Sequence, residues 1–411
     1  MAIRNLRYVI TALVVILSLF ASNSAVSATE PVKIGILWPM SGPVAVTGEE
    51  VRKGFIVAQE EINANGGIKA LGGAKVEFIF ADTQGKVETG ISEARRLIYQ
   101  ENVVALMGAW QSAVTIPIAQ IAEQAKVPHL VALAAADAIT ERGFKYVFRL
   151  GPRTGSYART IAKFLDSAQA KGPKIASDIA LIYENSDFGS STATGIKAMA
   201  PSAGLKIVGD FPYPYTTSDL TGTIARIKAA NPDLIIATSY GPDAILIMRT
   251  INELKFAPRT GLIGTVGGYN DPKLIGTLGA GAENILALAY WNADLRKPEA
   301  AAFANKFRGH FGRDPIGLAA FTYSAAFVLK EAIEKAGKAD REAIGTALSE
   351  IEITQGPAMA VPFQKIKFGS DGQNVDEEII VVQVQNGRFV TVWPSQYVSS
   401  QLRWPAALSA K

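Results

Sequence analysis

The side chains best suited to binding chemistry follow a short apolar run that Gly108 ends. Such a run, rich in β-branched residues, is typical of a buried parallel strand. Gln111 and Ser112 come next, and Thr115 is expected to cap a helix that has Pro117 in its first turn. Amides at a helix start beyond the carboxyl end of a strand favour a small, negatively charged ligand. The spacing therefore predicts an anion-binding loop, with an ordinary strand–turn–helix connection as the alternative.

Side chains that could perform covalent or acid–base chemistry are sparse. The sequence has no cysteine, which excludes disulfides, thiol nucleophiles and thiolate metal sites. His129 lies in an apolar run and is expected in the core, whereas His310 is expected on a helix surface. Asp82 and Asp137 follow strand-like runs without a paired acid nearby, and Asp82 suits a helix N-cap. No nucleophile-elbow, phosphate-loop or His-x-x-x-His pattern occurs, so we expect no metal, no cofactor and no enzyme activity.

The elements that must position the loop alternate between apolar strand-like runs and amphipathic helical patterns. One such series precedes Gly151-Pro152 and a similar series follows it. A helical block at residues 298–350 and a C-terminal β-hairpin come after both series. Thr47 and Glu50 form a capping-box pattern, which predicts a helix start there. The pattern indicates an α/β protein with two domains that face each other like a clamp.

Composition limits the partners that the chain can have. Its 411 residues are enough for two domains of ordinary size, and its net charge is +4. The first 28 residues hold two arginines and no acid, so the remainder carries a net charge of +2. No block of Lys and Arg occurs, and we therefore expect no nucleic-acid partner and no anionic membrane surface.

Residues 1–28 have the pattern of a cleavable secretory signal. Arg4 and Arg7 form the basic start, and residues 8–20 form an apolar core. Small residues follow up to Ala28, where cleavage is expected. The alternative is a transmembrane anchor, but the apolar core is shorter than the roughly 20 residues that a span needs. Export without a lipid anchor predicts a periplasmic protein if the source is a Gram-negative bacterium.

Taken together, the loops resemble the Leu/Ile/Val-binding family of solute-binding proteins, which serve ABC importers, over about residues 31–395. The matching segments read MSGP, INANGGI, GAWQSAVT, TERGF, DFG and NPD, at residues 40–43, 62–68, 108–115, 140–144, 187–189 and 231–233. The resemblance implies the type I periplasmic-binding-protein fold, an α/β fold with two Rossmann-like lobes joined by three hinge crossings. Lobe 1 would comprise residues 31–152 plus 291–358, and lobe 2 residues 153–290 plus 359–411.

The resemblance also implies roles for residues of the cleft between the lobes. Ser112, with Gln111 beside it, corresponds to the serine that receives the carboxylate of the solute. Ala135 stands where amino-acid binders have a threonine that contacts the solute backbone. Phe188 replaces a tyrosine, so its ring remains without a polar tip, and Tyr240 retains an aromatic ring. The cleft therefore keeps its carboxylate-receiving loop and loses polar contacts to an amino acid.

A second departure from the family concerns charge. Val266 falls where the amino-acid binders carry the acid that neutralises the α-ammonium group, and no acid occurs at residues 266–270. The disulfide of some members falls at Gln84 and Gln111. Five rings lie on or beside the candidate cleft loops: Trp38, Trp110, Phe188, Tyr240 and Tyr269. Trp38 is the ring expected to cover the solute from the first lobe, which favours an aromatic or apolar carboxylate.

The function implied by the resemblance is that of a periplasmic receptor, which captures a small carboxylate-bearing solute and delivers it to the membrane permease of an ABC importer. A branched-chain amino acid, an amide or urea remain open as alternative solutes. A receptor lobe for signalling and an exported hydrolase are alternatives of other classes, but the sequence has neither a following transmembrane segment nor hydrolase motifs. We expect a monomer with two partners, the solute and the permease.

Overall fold

Two sheets organise the chain in a computed structural model that describes residues 30–170, 176–406 and 408. The predicted signal at residues 1–28 lies outside the described residues. The first sheet has five parallel strands in the order β2-β1-β3-β4-β5. These strands are β1 (Val32–Trp38), β2 (Val76–Asp82), β3 (Ala105–Gly108), β4 (His129–Val131) and β5 (Val147–Arg149).

The second sheet has seven strands in the order β14-β13-β10-β9-β8-β6-β7. They are β6 (Asp178–Glu184), β7 (Lys206–Tyr213), β8 (Leu234–Thr238), β9 (Gly261–Gly264), β10 (Leu286–Ala289), β13 (Ile380–Gln385) and β14 (Arg388–Trp393). The strands β6 to β10 pair in parallel, and the hairpin β13–β14 adds to β10 in antiparallel orientation. A separate pair joins β11 (Glu352–Ile353) to β12 (Ile366–Lys367).

Helices connect the strands and cover both sheets. They are α1 (Ala45–Ala64), α2 (Val87–Tyr99), α3 (Ser112–Gln124), α4 (Thr154–Ala170), α5 (Asp187–Met199), α6 (Thr221–Ala230), α7 (Gly241–Glu253), α8 (Pro272–Leu278), α9 (Pro298–Phe311), α10 (Gly317–Ala336) and α11 (Arg341–Glu350). The late helix α10 packs along α1, where the Thr322 hydroxyl donates to the Val51 carbonyl and the Tyr323 hydroxyl to Glu61. No helix in the described ranges is long and apolar enough to cross a membrane.

Apolar periodicity predicted the main elements well. The alternating strands and helices form on both sides of Gly151-Pro152, and the predicted hairpin forms around Asn386-Gly387. The α/β fold class is confirmed. The described residues from Pro31 onward form one compact unit, so the lobe boundaries and hinge crossings derived from the resemblance stay predictions.

Two predicted helix caps are wrong because the side chains bind elsewhere. Thr47 does not open a capping box, because α1 begins earlier, at Ala45, and the Thr47 hydroxyl donates instead to Asp271. Asp82 does not cap α2, since its carboxylate accepts the amides of Met40 and Ser41 across the sheet edge. Short-range sequence patterns cannot reveal a partner that lies far away in the chain.

Candidate binding cavity between the two sheets

A partly open cavity, with about 280 Å³ of space between its walls, lies where the carboxyl ends of the parallel strands of both sheets meet. Its lining consists of Trp110, Ser112, Leu133, Ala135, Tyr157, Phe188, Tyr240, Val266, Gly267, Tyr290 and Leu318. Nine of these eleven residues, all except Tyr157 and Leu318, lie within four residues after the end of β3, β4, β6, β8, β9 or β10, in the position where open α/β sheets bind their ligands.

The β3–α3 connection brings Ser112 to the cavity through a turn that requires glycine. Gly108 has a φ of 113°, and a Cβ there would lie 2.1 Å from the carbonyl oxygen of Leu37. The helix α3 begins at Ser112 with Gln111 as N-cap, so the expectation that Thr115 caps the helix is wrong. The Thr115 hydroxyl donates instead to the carbonyls of Ala109 and Gln111.

The first turn of α3 presents hydrogen-bond donors to the cavity. The amides of Val114 and Thr115 donate to the Gln111 carbonyl, which leaves the amides of Ser112 and Ala113 free within the described chain. The amide of Ala136 donates to Ser112 Oγ at 3.1 Å. Because that bond occupies the oxygen, the hydroxyl proton of Ser112 is available to an acceptor in the cavity. Pro117 lies inside the helix rather than in the first turn.

Aromatic rings from both sheets form a continuous wall. Trp110 packs edge-on against Tyr240, with ring centroids 5.7 Å apart and an interplanar angle of 85°. The ring centroids of Phe188 and Tyr240 lie 5.5 Å apart. Trp38 stacks on the opposite face of this group, 6.3 Å from Trp110, and its Nε1 donates to the Gly48 carbonyl. The rings therefore lie in order from the core of the first sheet, through Trp110, to the second sheet.

The structure brings together four of the seven predicted site residues. Ser112, Ala135, Phe188 and Tyr240 line the cavity. Gln111, Trp38 and Tyr269 lie outside the lining. The amide group of Gln111 lies against the loop at Gly85, and Trp38 lies behind Trp110. Tyr269 is fully buried, and its hydroxyl lies 3.3 Å from Ser239 Oγ.

Sequence reasoning missed two tyrosines of the cavity lining. Tyr157 lies in α4, and Tyr290 directly follows β10. Both side chains are 1% exposed, line the cavity and have their hydroxyl oxygens 2.5 Å apart. The position of Tyr290 after a strand was a usable signal, whereas Tyr157 and Leu318 lie within helices and carry none.

The lining as described contains no charged side chain. Asp243 and Glu184 lie behind Tyr240, and both carboxylates bind other groups. Asp243 accepts a hydrogen bond from the Tyr213 hydroxyl at 2.5 Å, and burial raises its pKa to about 7. Glu184 accepts the amides of Ser186 and Gly189, and burial raises its pKa as well. In the described part of the chain, no group of three or more acids and histidines could hold a metal ion.

The sequence from residue 31 to residue 388 matches a protein family described as periplasmic binding protein. The chain belongs to this family. It is 33% identical over 396 residues to the Leu/Ile/Val-binding protein homolog 7 of Brucella abortus (strain 2308), a match that covers 93% of this chain and 96% of the relative. As a periplasmic binding protein it is a solute-binding component of an ABC transporter and not an enzyme.

Solved structures of periplasmic binding proteins share the fold. The leucine binding protein LivK from Thermotoga maritima MSB8 superposes with a TM-score of 0.78 at 25% identity, covering 88% of this chain and 98% of that chain. LivJ from Streptococcus pneumoniae, in complex with isoleucine, superposes with a TM-score of 0.77 at 22% identity, and the match covers 89% of this chain and 100% of LivJ. A solute binding protein from R. palustris, in complex with benzoate, superposes with a TM-score of 0.75 at 19% identity, and the match covers 90% of this chain and 100% of that protein. The type I fold is thereby confirmed.

Proposed function

We propose that this periplasmic binding protein captures a small carboxylate with an aromatic or apolar body and no α-ammonium group. The observation that supports this most directly is the polarity of the cavity. Donors from Ser112 and the start of α3 lie at one place in the lining, and the remaining side chains are apolar or aromatic. An anion can be stabilised there by hydrogen bonds, whereas the described lining offers a cation no carboxylate.

The carboxylate is bound at the first turn of α3. The Ser112 hydroxyl and the amides of Ser112 and Ala113 donate to its oxygens, and the positive end of the helix dipole adds to the attraction. Hydrogen bonds to a charged acceptor contribute about 1.5–3 kcal/mol each. This anchor supplies both affinity and orientation, because the rest of the described lining offers the solute no charged group.

The body of the solute fits between the rings. Trp110, Phe188 and Tyr240 offer flat apolar surfaces, and Leu133 and Leu318 complete the wall. A single ring or a short branched chain presents the kind of apolar surface that these side chains can contact. The R. palustris protein of the same fold was solved with benzoate, a solute of this size and chemistry.

An α-ammonium group would be unfavourable in this cavity. Val266 is 4% exposed and lines the cavity, and the family resemblance assigns it to the position of the ammonium-binding acid. A buried cation without a partner carries a penalty of several kcal/mol, roughly. Amino acids should therefore bind less tightly than the matching acids that lack the amino group.

The second candidate solute is a branched-chain amino acid. The names of the curated relatives and the isoleucine bound to LivJ favour it. Calorimetry with matched pairs decides between the two: 3-phenylpropionate against phenylalanine, and 4-methylpentanoate against leucine, with benzoate as a third acid. We expect the acid of each pair to bind more tightly. Tighter binding of either amino acid would overturn the proposal, and binding of amides or urea alone would favour a neutral solute.

Delivery of the solute requires the protein to be exported and to reach a membrane permease. Residues 1–28 supply the expected signal, and closure of the two lobes on the solute would present both to the permease. Mass spectrometry of protein isolated from the periplasm tests export, because cleavage should leave a mature chain that begins near residue 29. An intact Met1 on periplasmic protein would contradict cleavage.

A further inference from the structure

The hydroxyls of Tyr157 and Tyr290 form a hydrogen-bonded chain in the wall of the cavity. Their oxygens lie 2.5 Å apart, and the Tyr290 hydroxyl donates to the carbonyl of Pro152 at 2.9 Å. Burial raises the pKa of both phenols above the usual value, so both are neutral and each carries one proton. The chain therefore has two protons for two hydrogen bonds.

The direction of these protons follows from the Pro152 carbonyl, which can only accept. Tyr290 uses its one proton in the bond to Pro152. Tyr157 must then donate its own proton to Tyr290. Within the described chain the Tyr157 oxygen makes no other hydrogen bond, so towards the cavity it can act only as an acceptor.

The other hydroxyls of the lining have different roles. Ser112 receives the Ala136 amide on its oxygen and so acts as a donor. Tyr240 has no hydrogen-bond partner among the described residues and can rotate to donate or accept, so it does not discriminate. Among the hydroxyls of the described lining, it is that of Tyr157 which can only accept a hydrogen bond from a solute, because its own proton is used in the bond to Tyr290. A cavity with one obligatory acceptor distinguishes solutes by whether they carry a donor.

We propose that Tyr157 Oη is an acceptor subsite for an O–H or N–H group on the body of the solute, so that hydroxy- or amino-substituted aromatic carboxylates are the preferred solutes. This inference rests on the proposed capture of a carboxylate at Ser112. A donor substituent completes a buried hydrogen bond, whereas a methoxy substituent brings its lone pairs against those of Tyr157.

The direct test is calorimetry with benzoate, the three hydroxybenzoates, the three aminobenzoates and the three methoxybenzoates. We expect at least one hydroxy or amino isomer to bind roughly three- to tenfold more tightly than benzoate. The methoxy isomer with the same substitution position should bind no more tightly than benzoate. The hydroxy and amino series together show whether an oxygen or a nitrogen donor is preferred.

Two variants examine the residue and the direction of its proton. Tyr157→Phe removes the acceptor, so the gain from the donor substituent should vanish while benzoate still binds. Tyr290→Phe removes the group to which the Tyr157 hydroxyl donates, so that hydroxyl becomes free to donate to a methoxy oxygen of the solute. The preference for hydroxy over methoxy substituents should therefore shrink in this variant. Tyr323→Phe is the matched control, because it removes a buried hydroxyl that bonds to Glu61 away from the cavity. Its solute preference should equal that of the unmodified protein.

The outcomes separate this inference from the proposed function. Failure of benzoate and of every substituted benzoate to bind would overturn the aromatic-carboxylate proposal itself. Binding of benzoate with no gain from any donor isomer would overturn the acceptor subsite alone. A gain that survives in Tyr157→Phe would assign the contact to another residue, and a hydroxy-over-methoxy preference unchanged in Tyr290→Phe would overturn the proton direction.

Discussion

The Thr47 hydroxyl donates a 3.1 Å hydrogen bond to Asp271 Oδ2, which joins the start of α1 beside the first sheet to the start of α8 beside the second. Both side chains are less than a tenth exposed. Asp271 also caps α8 by accepting the amide of Lys273. The bond therefore links a helix beside the first sheet to a helix beside the second, through an acceptor that the Lys273 amide also holds.

Thr47→Val should weaken this link without changing the cavity lining. Loss of a buried hydrogen bond of this kind costs about 1 kcal/mol, so we expect roughly fivefold faster release of a bound carboxylate. Stopped-flow tryptophan fluorescence measures the release rate. Thr346→Val, which alters an exposed helical threonine, is the control. An unchanged release rate in Thr47→Val would show that the bond does not hold the solute-bound form closed.

Ser112→Ala should weaken the binding of benzoate by roughly tenfold or more, since a charge-assisted bond is lost. Benzamide, which carries no charge, should lose less affinity than benzoate in the same variant. Calorimetry on both ligands provides the comparison, with Ser349→Ala on an exposed helix as control. An equal loss for the acid and the amide would mean that Ser112 does not receive the carboxylate.

Trp110→Leu and Trp38→Leu should have different consequences. Trp110 lines the cavity, so its truncation should reduce solute affinity. Trp38 is fully buried behind it and donates to the Gly48 carbonyl, so its truncation should chiefly lower the free energy of unfolding, by about 3 kcal/mol. Urea unfolding and calorimetry on both variants test this division. Loss of affinity greater in Trp38→Leu than in Trp110→Leu, at equal stability, would contradict it.

The two tryptophans also show where sequence reasoning stops. Both follow parallel strands and both were expected near the cleft, but packing decides which ring faces the cavity. Ser112, Phe188 and Tyr240 could be predicted because strand ends and the family resemblance agree on them. Tyr157 could not, because its role depends on a hydroxyl pair joined across 133 residues of sequence.

The strands were predictable for a simpler reason. A parallel strand buried on both faces is a continuous apolar run, so strands such as β1 and β6 can be recognised in the sequence itself. Helix starts were harder, because a hydroxyl near a helix start can accept from a backbone amide as a cap or donate to another group instead. Thr47 and Thr115 each satisfied a cap pattern, yet one bonds to Asp271 and the other to the carbonyls of its own turn.

Asp243 and His129 should give the stability of the protein opposing dependences on pH. Burial raises the pKa of Asp243 to about 7, so its contribution to stability falls as the pH rises from about 4 to about 7. Burial lowers the pKa of His129 to about 4, so its contribution rises over the range from about 4 to about 6.5. The two effects largely cancel in the unmodified protein.

Asp243→Asn removes the contribution of Asp243, which falls with rising pH, and keeps the contribution of His129, which rises with pH. Its free energy of unfolding should therefore increase more steeply between pH 4 and 6.5 than that of the unmodified protein, as urea unfolding at a series of pH values would show. Asp219→Asn, at an exposed loop, is the control. Parallel profiles for Asp243→Asn and the unmodified protein would mean that Asp243 is ionised throughout this range.

The selectivity of the cavity should be reversible at Val266. Val266→Glu restores an acid at a lining position, so leucine and phenylalanine should gain affinity through a partner for their ammonium groups. Benzoate should lose affinity in the same variant, because a second negative charge then shares a cavity of about 280 Å³ with the carboxylate. Val375→Glu, at an exposed position, controls for the added charge and should leave all affinities unchanged. Calorimetry with benzoate and leucine measures both effects in one variant. If Val266→Glu weakened the binding of leucine and benzoate equally while the fold stayed intact, the absence of an acid at residue 266 would not explain the selectivity.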